Sequence, residues 1–140
     1  MTNLLSSFGF GGANATAHAA LILRVTLGAL FLAHAGLKIF VFTPSGTAGY
    51  FASLGLPGAV AYLTIAAETL GGLALIAGFQ TSLVALMLIP VLLGAAVLGH
   101  GGNGFWFNNP GGGWEYPAFW AVTLLVQAML GGGAMALTRN

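Results

Sequence analysis

Charged side chains are almost absent from this sequence. Three basic and two acidic residues make up 4% of the 140 positions, while 58% of the residues are hydrophobic. An ordinary soluble domain has about 25% charged residues, which cover its surface. The composition therefore excludes a soluble monomer and predicts an integral membrane protein. The five charges are Arg24, Lys38, Glu68, Glu115 and Arg139.

Cysteine is absent as well. Its absence excludes a disulfide, a thiolate metal site, a CxxC redox pair and thioether attachment of haem. The formal net charge is only +1, so the sequence offers no basic stripe for a phosphate backbone. Nucleic acid is therefore not an expected partner, and any redox role must depend on a bound cofactor.

Long apolar runs are what the sequence does contain. Each is about as long as a helix that crosses a hydrocarbon core of about 30 Å, and none shows the alternation of a barrel strand. The sequence therefore predicts an all-α integral membrane protein, a bundle of four transmembrane helices. We place the helices at about 17–42, 58–79, 82–99 and 117–137, after a flexible tail over 1–16, and treat 17–140 as a single domain.

The links between these segments are unequal. Residues 80–81 form a tight link, whereas 43–57 and the glycine-rich 100–116 are long. With four crossings, both long links share one face. The aromatic residues near them suit the membrane interface, namely Trp106, Trp114, Trp120, Tyr50 and Tyr116. Arg139 lies near the end of the last segment, and because Lys and Arg favour the cytoplasm, both termini are predicted to be cytoplasmic.

Arg24 and Glu68 lie deep inside apolar segments, where each charge costs roughly 2.5 to 3.5 kcal/mol. At 100° per residue, Arg24, His34 and Lys38 share one narrow stripe of the first helix. His34 and Glu68 lie at similar depths below the long-loop face, so we expect the stripe to face Glu68, with Lys38 and Arg24 reaching it from opposite sides. The layer is either a salt bridge that fixes packing or a functional site.

Gly71 and Gly72 follow Glu68 by one helical turn and lie on its face of the helix. Small residues there allow another helix to approach closely, or leave room for a flat ligand. His100, Trp114 and Glu115 lie at the long-loop face, where Glu115 suits the positive start of the last helix or closes the site from above.

Haem and metal ions are not expected. A bis-histidine haem needs two histidines at one depth, but His100 lies at the membrane boundary while His34 lies deeper. The spacing of His34, Glu68 and His100 matches no metal-ligand motif, so no metal is predicted.

Several short strings, in this order and spacing, resemble the DoxX family of small four-helix bacterial membrane proteins. They cover roughly 21–137 and comprise Arg24 to Gly28, His34-Ala35-Gly36-Leu37-Lys38, Leu54-Gly55-Leu56-Pro57, Glu68-Thr69-Leu70-Gly71-Gly72, Gly78-Phe79, His100, Trp114-Glu115-Tyr116 and Gly131 to Gly133. Ser82 departs from the family pattern, which commonly has an arginine there. That departure removes a charge that would have oriented the chain.

The resemblance implies a multi-pass protein of the bacterial cytoplasmic (inner) membrane that serves a redox system. Relatives are described as subunits of thiosulfate:quinone oxidoreductase or quinol oxidase systems, and as membrane partners of oxidative-stress proteins. Whether such a subunit is itself an enzyme stays open, and fold analogy alone does not transfer function.

Three hypotheses follow. In the first, a quinone-like lipophile binds beside Glu68, His34 and Lys38: Lys38 or His34 donates to a ring oxygen, Glu68 exchanges a proton, and Arg24 holds Glu68 ionised. In the second, a homo-oligomer acts as a proton-coupled carrier that uses Glu68. In the third, the chain is a non-catalytic scaffold or assembly partner. Gly71, Gly72, His100, Trp114 and Glu115 are the further candidate ligand contacts.

Overall fold

The computed structural model describes residues 4–7 and 9–139, and every regular element in these ranges is a helix. Two of the helices continue into a π-helical turn: Leu37–Val41 follows the helix that ends at Gly36, and Ala95–Gly99 follows the helix that ends at Gly94. A short 3₁₀ turn, Gly101–Asn103, follows. The helices are α1 Leu4–Ser7, α2 Ala13–Gly36, α3 Pro44–Ser53, α4 Gly58–Ala77, α5 Thr81–Gly94 and α6 Glu115–Leu130. The all-helical fold class predicted from the apolar runs is thereby confirmed.

Within the described ranges, three helices are long and apolar enough to cross a membrane. They are Ala13–Val41 with 29 residues, Gly58–Ala77 with 20 and Thr81–Gly99 with 19. Their outward faces carry large exposed apolar side chains such as Leu63, Leu70 and Met87. Since water would penalise such faces, a lipid environment accounts for them.

The last helix is shorter than the predicted segment 117–137. It has 16 residues and ends at Leu130, because Gly131 and Gly133 both adopt positive φ values, 73° and 70°, which glycine takes without strain and which interrupt a helix. The chain beyond it turns back instead of continuing along the axis of α6.

The start of the first long helix also differs from the prediction. It begins at Ala13, inside the predicted tail 1–16, where alanines favour the helix. Residues 1–3 and 8 of that tail lie outside the described residues, as does residue 140 of the predicted domain. The long link 43–57 is largely helical, since Thr43 accepts a hydrogen bond from the Gly46 N–H at 3.1 Å and Pro44 occupies the first turn of α3.

A close contact between α2 and α4 sets the centre of the fold. A Cβ atom on Gly28 would lie 2.6 Å from the Gly72 carbonyl oxygen, and one on Gly72 would lie 2.9 Å from the Gly28 oxygen. Only glycine permits two helix backbones to approach this closely. Around this contact the core consists mainly of leucine, with the fully buried Phe31 and Leu124.

The C-terminal segment 131–138 folds across the link between α4 and α5. The Leu137 N–H donates to the Ala77 carbonyl at 3.2 Å, the Thr138 N–H donates to Gly78 at 3.1 Å, and the Ala134 N–H donates to Ala17 at 2.9 Å. The bonds to Ala77 and Gly78 satisfy carbonyls at the end of α4 that would otherwise lack partners. The segment therefore belongs to the same end of the molecule as the start of α2.

Arg24 holds this end together. Its side chain is 1% exposed. Its guanidinium donates to the carbonyl oxygens of Leu75 at 3.1 Å and of Ile76, both in the last turn of α4. It also donates to Gly132 at 2.9 Å and Ala134 at 3.0 Å. A cation suits the partial negative charge of a helix C-terminus, so Arg24 closes α4 and the returning segment together.

We expect Arg24→Gln to lower the free energy of unfolding by about 3 kcal/mol or more, because it removes charge-assisted hydrogen bonds and leaves buried carbonyls unpaired. Thermal unfolding in detergent, followed by tryptophan fluorescence, measures the effect. Arg139→Gln is the matched control, since Arg139 is exposed. Equal unfolding midpoints for the two variants would contradict this structural role.

Candidate functional site

A buried ion pair joins the end of α2 to the middle of α4. Lys38 Nζ lies 3.0 Å from Glu68 Oε1 and 2.9 Å from Oε2, and Glu68 is only 5% exposed. Lys38 lies in the π-helical turn Leu37–Val41. Its backbone carbonyl accepts a hydrogen bond from the Thr47 hydroxyl of α3 at 3.2 Å. An ammonium has three N–H donors. Two of them point to the carboxylate, so one is left for a ligand.

His34 and Trp120 meet one turn deeper. Their ring centroids are 4.9 Å apart in an edge arrangement, and Trp120 also packs against Phe31 at 4.8 Å. His34 Nδ1 lies 2.9 Å from the Leu30 carbonyl oxygen. Because a carbonyl only accepts, Nδ1 carries the proton, and Nε2 of the neutral ring is left as an acceptor. This aromatic pair connects α2 to α6 beneath the ion pair.

The ion pair lies in the wall of a cavity of about 820 Å³, within the roughly 300–1,000 Å³ range of ligand pockets. The wall is formed by α2, α3, α4, α5 and the first turns of α6. Apolar side chains form most of it, together with Pro90 and Gly94 of α5. Its polar side chains are those of His34, Lys38, Thr47, Tyr50, Thr64, Glu68, His100 and Tyr116.

A second polar pair lies at the long-loop end of the cavity. The Tyr116 hydroxyl is 2.7 Å from His100 Nε2, and the two rings pack edge to face with centroids 4.9 Å apart. His100 Nδ1 lies 3.2 Å from the Gly111 carbonyl oxygen and 3.0 Å from that of Gly112. The glycine-rich loop thereby fixes the orientation of the imidazole.

The structure brings four of the predicted site residues to one cavity: His34, Lys38, Glu68 and His100. Arg24 is not among them, although the sequence stripe led us to expect it to reach Glu68. It binds carbonyls seven and eight residues beyond Glu68 instead, which is about two helical turns away. The free carbonyl oxygens at the C-terminus of α4 compete with the Glu68 carboxylate for Arg24. Such backbone acceptors cannot be seen in the residue pattern of a sequence.

The two glycines beside Glu68 do not line the cavity either. A Cβ on Gly71 would lie 2.9 Å from Leu88 Cδ1 of α5, and Gly72 lies against Gly28 of α2. Of the two readings left open from the sequence, close helix packing is the one that the contacts support.

Trp114 and Glu115 stabilise the long loop rather than the cavity wall. The Glu115 carboxylate accepts a hydrogen bond from the Phe107 N–H at 2.8 Å, and Trp114 packs edge to face against Phe105 at 4.8 Å. Trp106 is likewise exposed in this loop. These groups fold the loop that orients His100.

Sequence reasoning missed Tyr116 and Trp120 as cavity residues. Aromatic residues near the start of a transmembrane segment are typical of the membrane interface, and they were interpreted in that way. The signal that would have identified them is their spacing of four residues, which places both rings on one face of α6.

We expect Lys38→Met and Glu68→Leu each to lower the free energy of unfolding by about 3 kcal/mol, because each leaves the partner charge buried and unpaired. The double variant should lose clearly less than the sum of the two. Thermal unfolding of all four proteins in one detergent completes the double-mutant cycle. Strictly additive losses would show that the two side chains are not energetically coupled.

Comparison with known proteins agrees with the resemblance seen in the sequence. A family model described as DoxX matches residues 19–101, well over half of the chain. The protein named "Putative oxidoreductase CatD" from Bacillus subtilis (strain 168) is 38% identical over 77 residues, which cover 55% of this chain and 56% of that relative. The chain thus matches about half the length of that relative, and no solved structure matches it significantly. On the extent of the family match, the chain belongs to the DoxX family.

Proposed function

We propose that this DoxX-family membrane protein is a subunit of a redox system that binds a quinone-like lipophile in the cavity beside Lys38 and Glu68. The main support for this proposal is that one cavity of about 820 Å³ combines an ion pair with a largely apolar wall. Pockets of this kind hold an apolar ring or tail and orient it with a few polar groups. The name of the Bacillus subtilis relative, an oxidoreductase, points to the same class of chemistry.

The chain's own groups supply binding and proton handling. The third N–H of Lys38 donates to a ring oxygen, while the Glu68 carboxylate exchanges a proton with the ligand. His34 Nε2 is an additional acceptor one turn deeper. Holding these groups in a largely apolar cavity strengthens each interaction, since the local dielectric is low.

In this proposal the electrons are exchanged with a partner subunit. With no cysteine in the sequence, its side chains offer no thiol couple, and a quinone supplies the two-electron, two-proton chemistry when it is bound. We therefore assign the electron partner to another membrane or periplasmic subunit. The chain's part is to bind and orient the lipophile and to carry protons to and from it.

Mass spectrometry of lipophiles that co-purify in mild detergent tests the proposal. We expect a near-stoichiometric quinone in the parent protein and about tenfold less in Glu68→Gln, since losing a hydrogen bond to a charged group costs one to two factors of ten. Glu115→Gln is the matched control, because it is the same substitution at a residue outside the cavity wall. Equal quinone content in the parent and Glu68→Gln would refute the site, and proton-driven solute flux in liposomes lost in Glu68→Gln would favour a carrier.

We further propose four spans in the bacterial inner membrane, with α6 as the fourth and both termini in the cytoplasm. The hydrogen bonds from segment 131–138 to Ala17 and Ala77 support this arrangement, because they hold the C-terminus at the end of the molecule where α2 starts. The 16 residues of α6 span about 24 Å at 1.5 Å each, so slight thinning of the bilayer completes the crossing.

The cysteine-free sequence makes the topology directly measurable. Single cysteines at the exposed positions Asn14, Asn108 and Leu137 can be treated with a membrane-impermeant maleimide. In intact spheroplasts we expect Asn108→Cys to react, and Asn14→Cys and Leu137→Cys to react only after the membrane is disrupted. Joint reaction of Asn108→Cys and Leu137→Cys in intact spheroplasts would rule out the fourth span.

A further inference from the structure

The second polar pair of the cavity has a fixed hydrogen-bond direction. Both oxygens near His100 Nδ1 are backbone carbonyls, of Gly111 and Gly112, and carbonyls only accept. The proton of the neutral imidazole is therefore on Nδ1, which leaves Nε2 with a lone pair. The Tyr116 hydroxyl, 2.7 Å from Nε2, must then be the donor. Its single hydrogen is used, so the phenol oxygen offers only lone pairs to a ligand.

The Lys38 side of the cavity has the opposite character. An ammonium has no acceptor capacity, and two of its three N–H groups point to the two oxygens of Glu68. Its remaining N–H is a donor. A ligand between the two pairs meets a donor at Lys38 and an acceptor at Tyr116.

The His34–Trp120 contact puts these two groups at the same depth. The two rings pack with centroids 4.9 Å apart, and α2 and α6 run in opposite directions past this point. Lys38 lies one turn beyond His34, and Tyr116 lies one turn before Trp120, so both lie about 5–6 Å toward the long-loop face. His34, Trp120, Lys38 and Tyr116 all line the cavity, with Lys38 and Tyr116 on the long-loop side of the aromatic pair.

We propose that the cavity binds the reduced, hydroxyl-bearing form of its lipophile, a hydroquinone, in preference to the oxidised form. This inference rests on the proposed function and adds a preferred ligand state and a further contact, Tyr116. The ring hydroxyl beside Lys38 accepts from Nζ and donates its own hydrogen to the Glu68 carboxylate, and the hydroxyl at the other end of the ring donates to the Tyr116 oxygen. A quinone carbonyl has no hydrogen to donate, so it leaves that oxygen facing lone pairs without a hydrogen bond.

Binding measurements with a matched pair of probes test the preference. The probes are decylhydroquinone, kept reduced under anaerobic conditions, and decylbenzoquinone, each added to the intact protein in the same detergent buffer. Equilibrium dialysis gives both dissociation constants. We expect the hydroquinone to bind about tenfold more tightly, the usual effect of one unsatisfied buried hydrogen-bonding group.

Tyr116→Phe removes only the phenol oxygen. We expect this variant to bind the two probes with nearly equal affinity, having lost affinity for the hydroquinone alone. Tyr62→Phe is the matched control, since Tyr62 is an exposed residue of α4 outside the cavity wall, and it should keep the full preference. The unfolding midpoint of each variant checks that the fold is intact.

The possible outcomes separate this inference from the proposed function. Equal or tighter binding of the quinone by the parent protein overturns the preference and leaves the quinone site standing. An equal loss of both probes in Tyr116→Phe also overturns it, because Tyr116 then only shapes the wall. Failure of both probes to bind the parent protein overturns the proposed function and this inference together.

Discussion

The close approach of α2 and α4 at Gly28 and Gly72 is the constraint on which the other features depend. Where a Cβ would lie within 3 Å of the facing carbonyl, the two backbones are locked in register. That register brings Arg24, one turn before Gly28, to the last carbonyls of α4. At the other end it brings Lys38 to Glu68. One pair of glycines thus positions both the hydrogen bonds of Arg24 and the Lys38–Glu68 ion pair.

The cavity depends in addition on how two helices end. At the long-loop face both α2 and α5 finish in a π-helical turn, closed by hydrogen bonds from the Phe42 N–H to Leu37 and from the His100 N–H to Ala95, each 2.9 Å. Short π-helical segments are frequent at functional sites, because they turn side chains away from the α-helical path. Here the two turns carry Lys38 and lead directly into His100. Lys38 and His100, two polar groups of the cavity, therefore lie where these two helices end.

Much of the fold was predictable from the sequence, because lipid permits so few solutions for long apolar runs. The Lys38–Glu68 contact was foreseeable for a related reason: a charge in an apolar helix needs a partner, and helical geometry limits the choice. Arg24 was assigned to Glu68 because backbone acceptors leave no mark in a sequence, although four carbonyls satisfy its guanidinium. Tyr116 and Trp120 were missed because an aromatic residue at the membrane interface and one that lines a cavity have the same residue type and lie at the same depth. Only the packing of α6 against the other helices distinguishes them.

The hydrogen bonds of Arg24 also depend on the order in which the chain is synthesised. Its bond to Gly132 spans 108 residues, which a ribosome adds in about 5 to 20 s at 5–20 residues per second. In the second half of that interval α2 and α4 are already made, yet the guanidinium has only the two α4 carbonyls as acceptors, half of its final set. Residues synthesised more than 100 positions after Arg24 are the ones that finish the enclosure of its guanidinium. Closure around Arg24 therefore waits for the synthesis of Gly132 and Ala134, so a newly made protein passes through a stage in which α2 and α4 are present but the guanidinium is not yet enclosed.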